Sequence, residues 1–336
     1  MKIYPFMSPK RSSKSIIGII IGDLNGIGYE VILKTLADSR INDLAQIVIY
    51  GSKDSAQYYQ KLLNLDQLKL NYIKKVEDIK GSKAHLLEVW KDKVEIEPGK
   101  ANAEAGKYAF KSLEAAVKDL KEGHIDALVT APINKKTIQS EDFNFPGHTE
   151  YLQATDEAED SLMLMLSEKA RIGVITGHIP LKDVASTINT DLILRKLTIL
   201  NRSLKEDFSI RQPKIAILGL NPHAGDNGLL GEEEIKEIQP AIQQAKSIEV
   251  MAFGPFPADG FFGSSEFLKY DGILAMYHDQ GLIPAKSMAF GEGTNFTAGL
   301  SFIRTSPDHG TAFAIAGKGE ADESSFRNAL YRAIEI

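Results

Sequence analysis

The sequence predicts an α/β fold built around a mainly parallel sheet. Short apolar runs typical of buried strands alternate with amphipathic segments along all 336 residues, which is the pattern of βαβ units. The first apolar run, Ile16–Ile21, leads through a glycine-rich loop into a helical pattern that starts at Tyr29. The hydrophobic fraction of 43% and the charged fraction of 25% are ordinary for a globular chain. This length suits two medium-sized domains or one large α/β unit.

Each further element follows from its local pattern. Strands are predicted at Gln46–Tyr50 and Ile125–Ala131, and less clearly at His85–Val94, and helices at Tyr29–Leu36, Ser55–Leu63, Ala101–Glu122, Asp191–Leu204 and Glu232–Lys246. The helix Ala101–Glu122 carries one apolar face at spacings of three and four, and Gly123 can end it. Glu232, Glu233 and Glu234 favour the start of the last helix, because acidic side chains meet the positive end of its dipole there.

Three later apolar runs each end close to a histidine, namely His178, His223 and His278. Ligands of open α/β sheets bind outside the carboxyl ends of the strands. Any one of these histidines alone is more typical of a hydrogen-bonded structural residue. Together they predict one divalent cation with an open coordination position, because neutral imidazole suits Zn²⁺ and similar ions.

Composition excludes several classes of protein. The chain has no cysteine, which rules out disulfides, thiolate metal sites and cysteine nucleophiles. Its net charge of −6 argues against a nucleic-acid partner. The residues Met1–Ser15 carry Lys10, Arg11 and Lys14 ahead of only six apolar residues. That run is too short for a signal peptide, and no run is long enough to span a membrane, so we expect a cytoplasmic protein.

Four more segments could bind ligands. The loop Gly22–Gly28 has its glycines at relative positions 1, 5 and 7, which fits neither the dinucleotide fingerprint nor a P-loop and favours a tight turn. In Phe145–Glu150, His148 could bind an anion or an alcohol, Gly147 allows close backbone approach, and Thr149 could cap a helix. The segment 284–307 holds Lys286, Asn295 and Arg304, which suit a phosphate or carboxylate. Gly310, Gly317 and Gly319 would let a nucleotide approach the backbone. The alternatives are a structural or exposed His148, and solvated or ion-paired cations at 286 and 304.

The combination of motifs resembles the 4-hydroxythreonine-4-phosphate dehydrogenase family of vitamin B6 biosynthesis, from Gly22 to about Arg332. The matching segments are Gly-Asp-x-x-Gly-Ile-Gly-x-Glu at 22–30, Pro-Gly-His-Thr-Glu at 146–150, His178 with Ile-Pro-Leu-Lys-Asp-Val, Asn-Pro-His-Ala-Gly-Asp at 221–226, Gly-Glu-Glu at 231–233, Gly-Pro-Phe-Pro-Ala-Asp at 254–259, Tyr-His-Asp-Gln-Gly-Leu-Ile-Pro at 277–284, and 308–319. One departure is Leu24, Asn25 and Tyr29, where the family commonly has Pro, Ala and Pro. We expect the turn to survive because its glycines and acids are present.

The resemblance implies a fold like that of the isocitrate and isopropylmalate dehydrogenases. Its two α/β/α domains would comprise residues 1–135 plus about 300–336, and about 136–299. The active site would lie in the cleft between them and at the interface of a homodimer.

The resemblance also assigns roles to residues. It implies that His178, His223 and His278 bind the metal, shared between two subunits. The implied substrate contacts are His148, Thr149, Lys286, Asn295 and Arg304. The cofactor loop holds Asp308, Gly310, Gly317 and Gly319. Asp259 and Asp279 are expected as polar contacts to substrate or metal, and these two residues with Lys286 are the candidates for catalysis.

The implied reaction is the oxidation of 4-phosphooxy-L-threonine by NAD or NADP, with a divalent cation polarising the hydroxyl and then the new ketone. The β-keto acid would lose CO₂ to give 3-amino-2-oxopropyl phosphate. A related dehydrogenase of threonate or erythronate phosphate or of an aromatic dihydrodiol, a metal-dependent hydrolase and a non-catalytic binding protein remain as alternatives. The sequence leaves open the metal (Zn, Mg, Mn or Co), the choice between NAD and NADP, and the general base.

Overall fold

A computed structural model describes residues 14–336. Its strands are β1 (Ile16–Ile20), β2 (Gln46–Gly51), β3 (Asn71–Ile73), β4 (His85–Glu88), β5 (Ala127–Thr130), β6 (Leu162–Leu166), β7 (Arg171–Thr176), β8 (Lys214–Leu218), β9 (Met251–Phe256), β10 (Gly272–Tyr277), β11 (Thr294–Ala298) and β12 (Ile303–Pro307). Its helices are α1 (Gly28–Leu36), α2 (Ile41–Leu44), α3 (Lys53–Leu62), α4 (Ala103–Lys121), α5 (His148–Thr155), α6 (Leu181–Thr187), α7 (Thr190–Glu206), α8 (Gln239–Ser247), α9 (Ala258–Phe262), α10 (His278–Ala289) and α11 (Ser324–Glu335).

The local sequence accounts for the predicted helices. The side chain of Asn102 accepts a hydrogen bond from the backbone N–H of Ala105 at 2.8 Å and so begins α4. Gly123 follows the end of α4 with φ +72°, which confirms it as the stop signal. Asn189 begins α7 in the same way as Asn102 begins α4, by accepting from the N–H of Leu192 at 2.9 Å.

All twelve strands join one sheet in the order β3-β4-β2-β1-β5-β12-β11-β6-β7-β10-β8-β9. The six strands from β3 to β12 are parallel, and so are β7, β10, β8 and β9. Three antiparallel pairs, β12 with β11, β11 with β6 and β6 with β7, connect the two parallel sets. The predicted mainly parallel α/β sheet is therefore confirmed, and the two parallel sets run in opposite directions.

Two sequence predictions need correction. The strand expected at His85–Val94 ends at Glu88. The helix expected at Glu232–Lys246 contains a π-helical turn at Glu234–Ile238 before α8 begins. Glu234 is buried because its carboxylate binds a neighbouring loop, so its role is not confined to the helix dipole.

Apolar side chains pack on both sides of the sheet in each parallel set. One group of clusters joins β1, β2 and β5 with α1, α4 and α11. The other joins β7, β8 and β10 with α7, α8 and α10. The division at about residues 135 and 300 stays a prediction. Within residues 14–336, no helix is long and apolar enough to cross a membrane. The expectation drawn from Lys10 and Arg11 lies outside the described residues.

Candidate active site

The three predicted histidines follow three neighbouring parallel strands. His178 lies two residues after β7, His278 begins α10 directly after β10, and His223 lies in the loop after β8. Because β10 pairs in parallel with both β7 and β8, their carboxyl ends share one edge of the sheet, as the sequence predicts. The ring centroids of His178 and His278 are 5.4 Å apart.

The environments of His178 and His278 fit ligands of a divalent cation. Partial burial, then the nearby positive charge of Lys135, lowers the pKa of His178, which keeps its ring neutral near pH 7. Nδ1 of His278 lies 2.7 Å from Oδ1 of Asp279. An ionised carboxylate only accepts hydrogen bonds, so the pair places the proton on Nδ1 and leaves Nε2 free to bind a metal. Asp279 thus orients the ring of His278, which makes it a candidate positioning residue.

A strained loop carries His223. The backbone from His223 to Asn227 has positive φ throughout, with φ 53° at His223 itself. Such a conformation costs free energy in residues other than glycine and persists only when its surroundings fix it. Here the buried carboxylate of Glu234 accepts hydrogen bonds from the backbone N–H groups of Leu220 and Asn221, both at 2.7 Å. Sequence reasoning missed this role of Glu234.

A single chain does not bring the three histidines together. Within residues 14–336, the one set of three His, Asp or Glu residues with ligand atoms all within 4.8 Å of one another is Asp119, Glu122 and His124. That set lies at the end of α4. The ligation of one cation by His178, His223 and His278 stays a prediction, and the resemblance places it between two subunits.

Arg304 lies on β12 in the middle of the sheet and is only 4% exposed. Its guanidinium donates to Oγ1 of Thr130 at 2.7 Å and 3.2 Å and to Oγ1 of Thr297 at 3.0 Å. Burial lowers its pKa to about 10, and the negative charge of Glu150 opposes that shift. The group therefore stays charged near pH 7. In the described part of the chain it has no carboxylate partner at ion-pair distance, contrary to the alternative of a structural ion pair.

His148 is close to Arg304 and buried with it. Its Nε2 has no hydrogen-bond partner in the described structure. Burial, followed by the charges of Arg304 and Lys135, lowers its pKa well below 6.5, so the ring is neutral near pH 7. The helix α5 begins at His148 with Gly147 as its N-cap and no side-chain cap. The prediction that Thr149 caps this helix is therefore wrong, because Thr149 lies inside the first turn.

Lys135 and Glu150 link the two groups of residues. Lys135 acts on the pKa of both His148 and His178, and Glu150 acts on His178 and Arg304. The five residues are therefore close enough together for their charges to act on one another. Sequence patterns assign no role to Lys135 or to the hydroxyls of Thr130 and Thr297. Lys135 stands beside Lys136 in a turn, and neither composition nor spacing separates the two lysines.

The remaining predicted residues differ in their contacts and in their exposure. Lys286 is half exposed and forms an ion pair with Asp308 at 3.1 Å, so a substrate candidate and a cofactor candidate contact each other. Lys286 lies eight residues after His278 along α10, or about 12 Å along the helix axis. Oδ1 of Asn295 is buried without a partner in the described structure. Asp259 is exposed on α9.

The glycines predicted for cofactor binding differ in their surroundings. Gly317 and Gly319 have φ +76° and +73°, which only glycine adopts readily. A Cβ atom on Gly317 would also lie 2.6 Å from Cβ of Pro98. Gly310 faces open space and has no such constraint. Next to these glycines, the carbonyl of Thr311 accepts from the N–H of Ile27 at 3.1 Å, so the predicted cofactor segment packs on the first glycine-rich loop.

That first loop forms the expected turn. Gly22 has φ +69°, and a Cβ on Gly28 would lie 2.0 Å from the carbonyl oxygen of Ile21. The three residues that depart from the family pattern, Leu24, Asn25 and Tyr29, are all buried. The side chain of Asn25 donates to the carbonyl of Lys100 and accepts from the N–H of Glu97, both at 2.9 Å. The departures therefore serve packing inside the protein.

Comparisons with known proteins agree on one family. A family model described as pyridoxal phosphate biosynthetic protein PdxA matches residues 43–333. The 4-hydroxythreonine-4-phosphate dehydrogenase of Bacteroides thetaiotaomicron is 48% identical over 325 residues, covering 96% of this chain and 89% of that protein. The D-threonate 4-phosphate dehydrogenase of Pectobacterium atrosepticum is 35% identical over 324 residues, covering 96% and 99%. A crystal structure of 4-hydroxythreonine-4-phosphate dehydrogenase from Klebsiella pneumoniae has a TM-score of 0.87 at 35% identity, covering 97% of this chain and 98% of that chain.

Proposed function

The chain belongs to the family described as pyridoxal phosphate biosynthetic protein PdxA, and we propose that it oxidises 4-phosphooxy-L-threonine with NAD or NADP. The secondary alcohol loses a hydride to the nicotinamide ring and a proton to a base or water. The β-keto acid then loses CO₂ and takes up a proton, giving 3-amino-2-oxopropyl phosphate for vitamin B6 biosynthesis. The names of the relatives support the substrate. We also propose that the protein is cytoplasmic and that it has the two domains predicted above from the resemblance.

The observation that carries the proposal is the buried charge of Arg304. Among residues 14–336, its hydrogen bonds go only to the hydroxyls of Thr130 and Thr297. A buried cation with no carboxylate at ion-pair distance is costly, because it has lost its hydration. A phosphate or carboxylate offers charge-assisted hydrogen bonds to a guanidinium and offsets that cost. The site is therefore suited to an anionic substrate that enters from the cleft.

The neighbouring residues can orient such a substrate. The neutral ring of His148 has a free Nε2. This atom can accept a hydrogen bond from a substrate hydroxyl or ammonium, or donate one to a phosphate if it carries the ring proton. Lys135 adds a second positive charge beside His148, and we assign Thr149 and Asn295 to further contacts in the same cleft. Lys286 is a cation at the far end of α10, next to Asp308. We retain Lys286 and Asp259 as candidates for proton transfer.

The residues present also fit a divalent cation and a dinucleotide. His178, His223 and His278 would hold the cation, shared between the two subunits of a homodimer, and a bound cation would lower the pKa of the substrate hydroxyl. Asp279 keeps Nε2 of His278 available for this by holding the proton on Nδ1. We assign NAD or NADP to the segment from Asp308 to Gly319, including Gly310 and Gly317.

A second candidate substrate is D-threonate 4-phosphate. The relative from Pectobacterium atrosepticum that carries this name matches 96% of the chain at 35% identity. The two substrates share the phosphate that we assign to Arg304, so this part of the site does not discriminate between them. They differ at one position, where the amino acid has an amino group and D-threonate 4-phosphate has a hydroxyl. Only a direct comparison of rates therefore decides between the two substrates.

The test is a dehydrogenase assay on the metal-depleted protein resupplied with Zn²⁺, Mg²⁺, Mn²⁺ or Co²⁺ in turn. The formation of reduced nicotinamide is followed with 4-phosphooxy-L-threonine or D-threonate 4-phosphate, each with NAD⁺ and NADP⁺. We expect kcat/KM to be at least about tenfold higher for the amino acid. The reason is that one mispaired polar group in the site lowers kcat/KM by about tenfold or more.

Three results would contradict the proposal. A higher kcat/KM for D-threonate 4-phosphate would establish the second candidate. Release of inorganic phosphate without nicotinamide reduction would indicate a hydrolase. Binding of substrate without turnover under every combination of cation and cofactor would indicate a binding protein.

A further inference from the structure

We propose that this protein has a second ligand site, separate from the candidate active site, for a small organic anion with an apolar body. The site is a cavity of about 620 Å³ between the ends of α7 and α8 and the starts of β8 and β9. That volume is in the range of small-molecule pockets. The histidines lie at the other, carboxyl edge of these strands, and the five residues of β8 alone span about 16 Å. A ligand bound here does not reach the histidines.

The mouth of the cavity is cationic. Lys205, Arg211 and Lys246 line it, against the single carboxylate of Glu249. The salt bridges of the described residues include none of these three cations. The chain as a whole carries a net charge of −6, so this local excess of positive charge is opposite in sign to the charge of the whole chain. Clustered cations around a concave site attract and retain anions.

One wall of the cavity holds a polar group that lacks a partner. Asn201 on α7 is only 8% exposed, and its Oδ1 makes no hydrogen bond within residues 14–336. Buried carboxamide oxygens are nearly always paired, because an unpaired one forfeits the hydrogen bond that it had in water. An amide oxygen only accepts hydrogen bonds. The missing partner therefore carries an N–H or O–H group.

The remaining wall is apolar. Val250 and Ala252 are buried, and Met251 and Phe253 are each 38% exposed, although all four line the cavity. A purely inorganic anion would leave this surface against water. The matching ligand combines a phosphate, sulfonate or carboxylate for the cations, an aromatic or aliphatic body for the apolar wall, and one donor for Asn201. A second copy of the chain is the competing occupant.

Anilinonaphthalene sulfonate is a suitable probe, because it has one sulfonate, two apolar ring systems and one N–H donor. Its fluorescence is titrated against the full chain and against the double variant Arg211→Gln/Lys246→Gln. The matched control is Lys74→Gln/Lys118→Gln, which removes the same charge from exposed lysines elsewhere. We expect the Kd to rise about tenfold in the first variant and less than about twofold in the control, since two exposed charges each contribute a small amount of binding energy.

Equal Kd values in the two double variants would overturn the proposal. An unchanged Kd together with an altered sedimentation coefficient in Arg211→Gln/Lys246→Gln would overturn it in favour of an interface between copies. Asn201→Asp gives an independent test, because it keeps the shape of the side chain and adds a negative charge. We expect a larger rise in Kd than in the double variant, with circular dichroism confirming the fold. A folded Asn201→Asp protein that binds the probe like the wild type would also refute the site.

Discussion

Replacing Arg304 with methionine tests whether its buried charge serves a ligand or the fold. Methionine keeps most of the length and volume of the side chain but has no charge and no donor. The variant loses three hydrogen bonds to the hydroxyls of Thr130 and Thr297. It also removes a cation that is 4% exposed and has no carboxylate at ion-pair distance in the described structure. The two effects on stability therefore oppose each other.

The magnitudes separate binding from folding. Hydrogen bonds from a charged donor are worth about 1.5–3 kcal/mol each, and the desolvation of a buried guanidinium costs several kcal/mol in return. In the absence of ligand, we expect the free energy of unfolding of the variant to decrease by no more than about 1 kcal/mol, or to increase. Removing one partner of a buried charge pair with substrate costs about 3–4 kcal/mol, which corresponds to a loss of about 10²- to 10³-fold in kcat/KM.

The assay compares kcat/KM for the phosphorylated substrate with the KM for NAD⁺, and urea unfolding gives the stability. Arg202→Met is the matched control, since Arg202 is exposed and, among the described residues, donates one long hydrogen bond to the carbonyl of Gly299 at 3.4 Å. If Arg304→Met lowered the free energy of unfolding by more than about 3 kcal/mol and left kcat/KM unchanged, the guanidinium would be structural. A large effect on the KM for NAD⁺ alone would move Arg304 to the cofactor.

The other predictions concern metal, pH and packing. His223→Ala is expected to abolish turnover and lower the bound metal per subunit with unchanged circular dichroism; full metal content in the variant would contradict the predicted ligand set. Because burial holds the pKa of His148 well below 6.5, the unfolded chain binds a proton that the folded chain does not when the pH falls below that value. Stability should then decrease on acidification by about 1.4 kcal/mol per pH unit, and urea midpoints in His148→Gln should lose this dependence; parallel pH profiles would refute it. A Cβ on Gly106 would lie 1.9 Å from the carbonyl oxygen of Thr137 whereas Gly310 faces open space, so Gly106→Ala should destabilise by about 3 kcal/mol and Gly310→Ala by less than about 0.5 kcal/mol. Similar Tm values for these two variants would count against the packing argument.

The parts of the fold that follow from sequence are those with a periodic or continuous apolar pattern. Strands β7, β8 and β10 are predictable because buried parallel strands are apolar on both faces. The same reasoning places His178 and His278 at one edge. Strand direction, however, leaves no trace in such a pattern. Leu162–Leu166 is as apolar as its neighbours and gives no sign that β6 runs antiparallel to both strands beside it.

The site residues that were missed depend on tertiary contacts. Glu234 stands in a row of three glutamates, and only its hydrogen bonds to the backbone of Leu220 and Asn221 explain why this one is buried. Thr130 resembles any threonine at the end of a strand until Arg304 from β12 is placed beside it. The proximity of Lys135 to His148 can be recognised only when the position of α5 is known. Sequence patterns locate the ends of helices and strands. Which side chains contact each other is determined by the order of the strands in the sheet.

The unbroken sheet also limits how the two parallel sets of strands can move relative to each other. Backbone hydrogen bonds continue from β5 through β12, β11 and β6 to β7, so the two sides are joined by a ladder and not only by flexible linkers. We therefore expect any movement between the two parallel sets to involve twisting or bending of these central strands. Amide hydrogens of β11 should exchange with solvent as slowly as those of the core, whether the cleft is empty or filled.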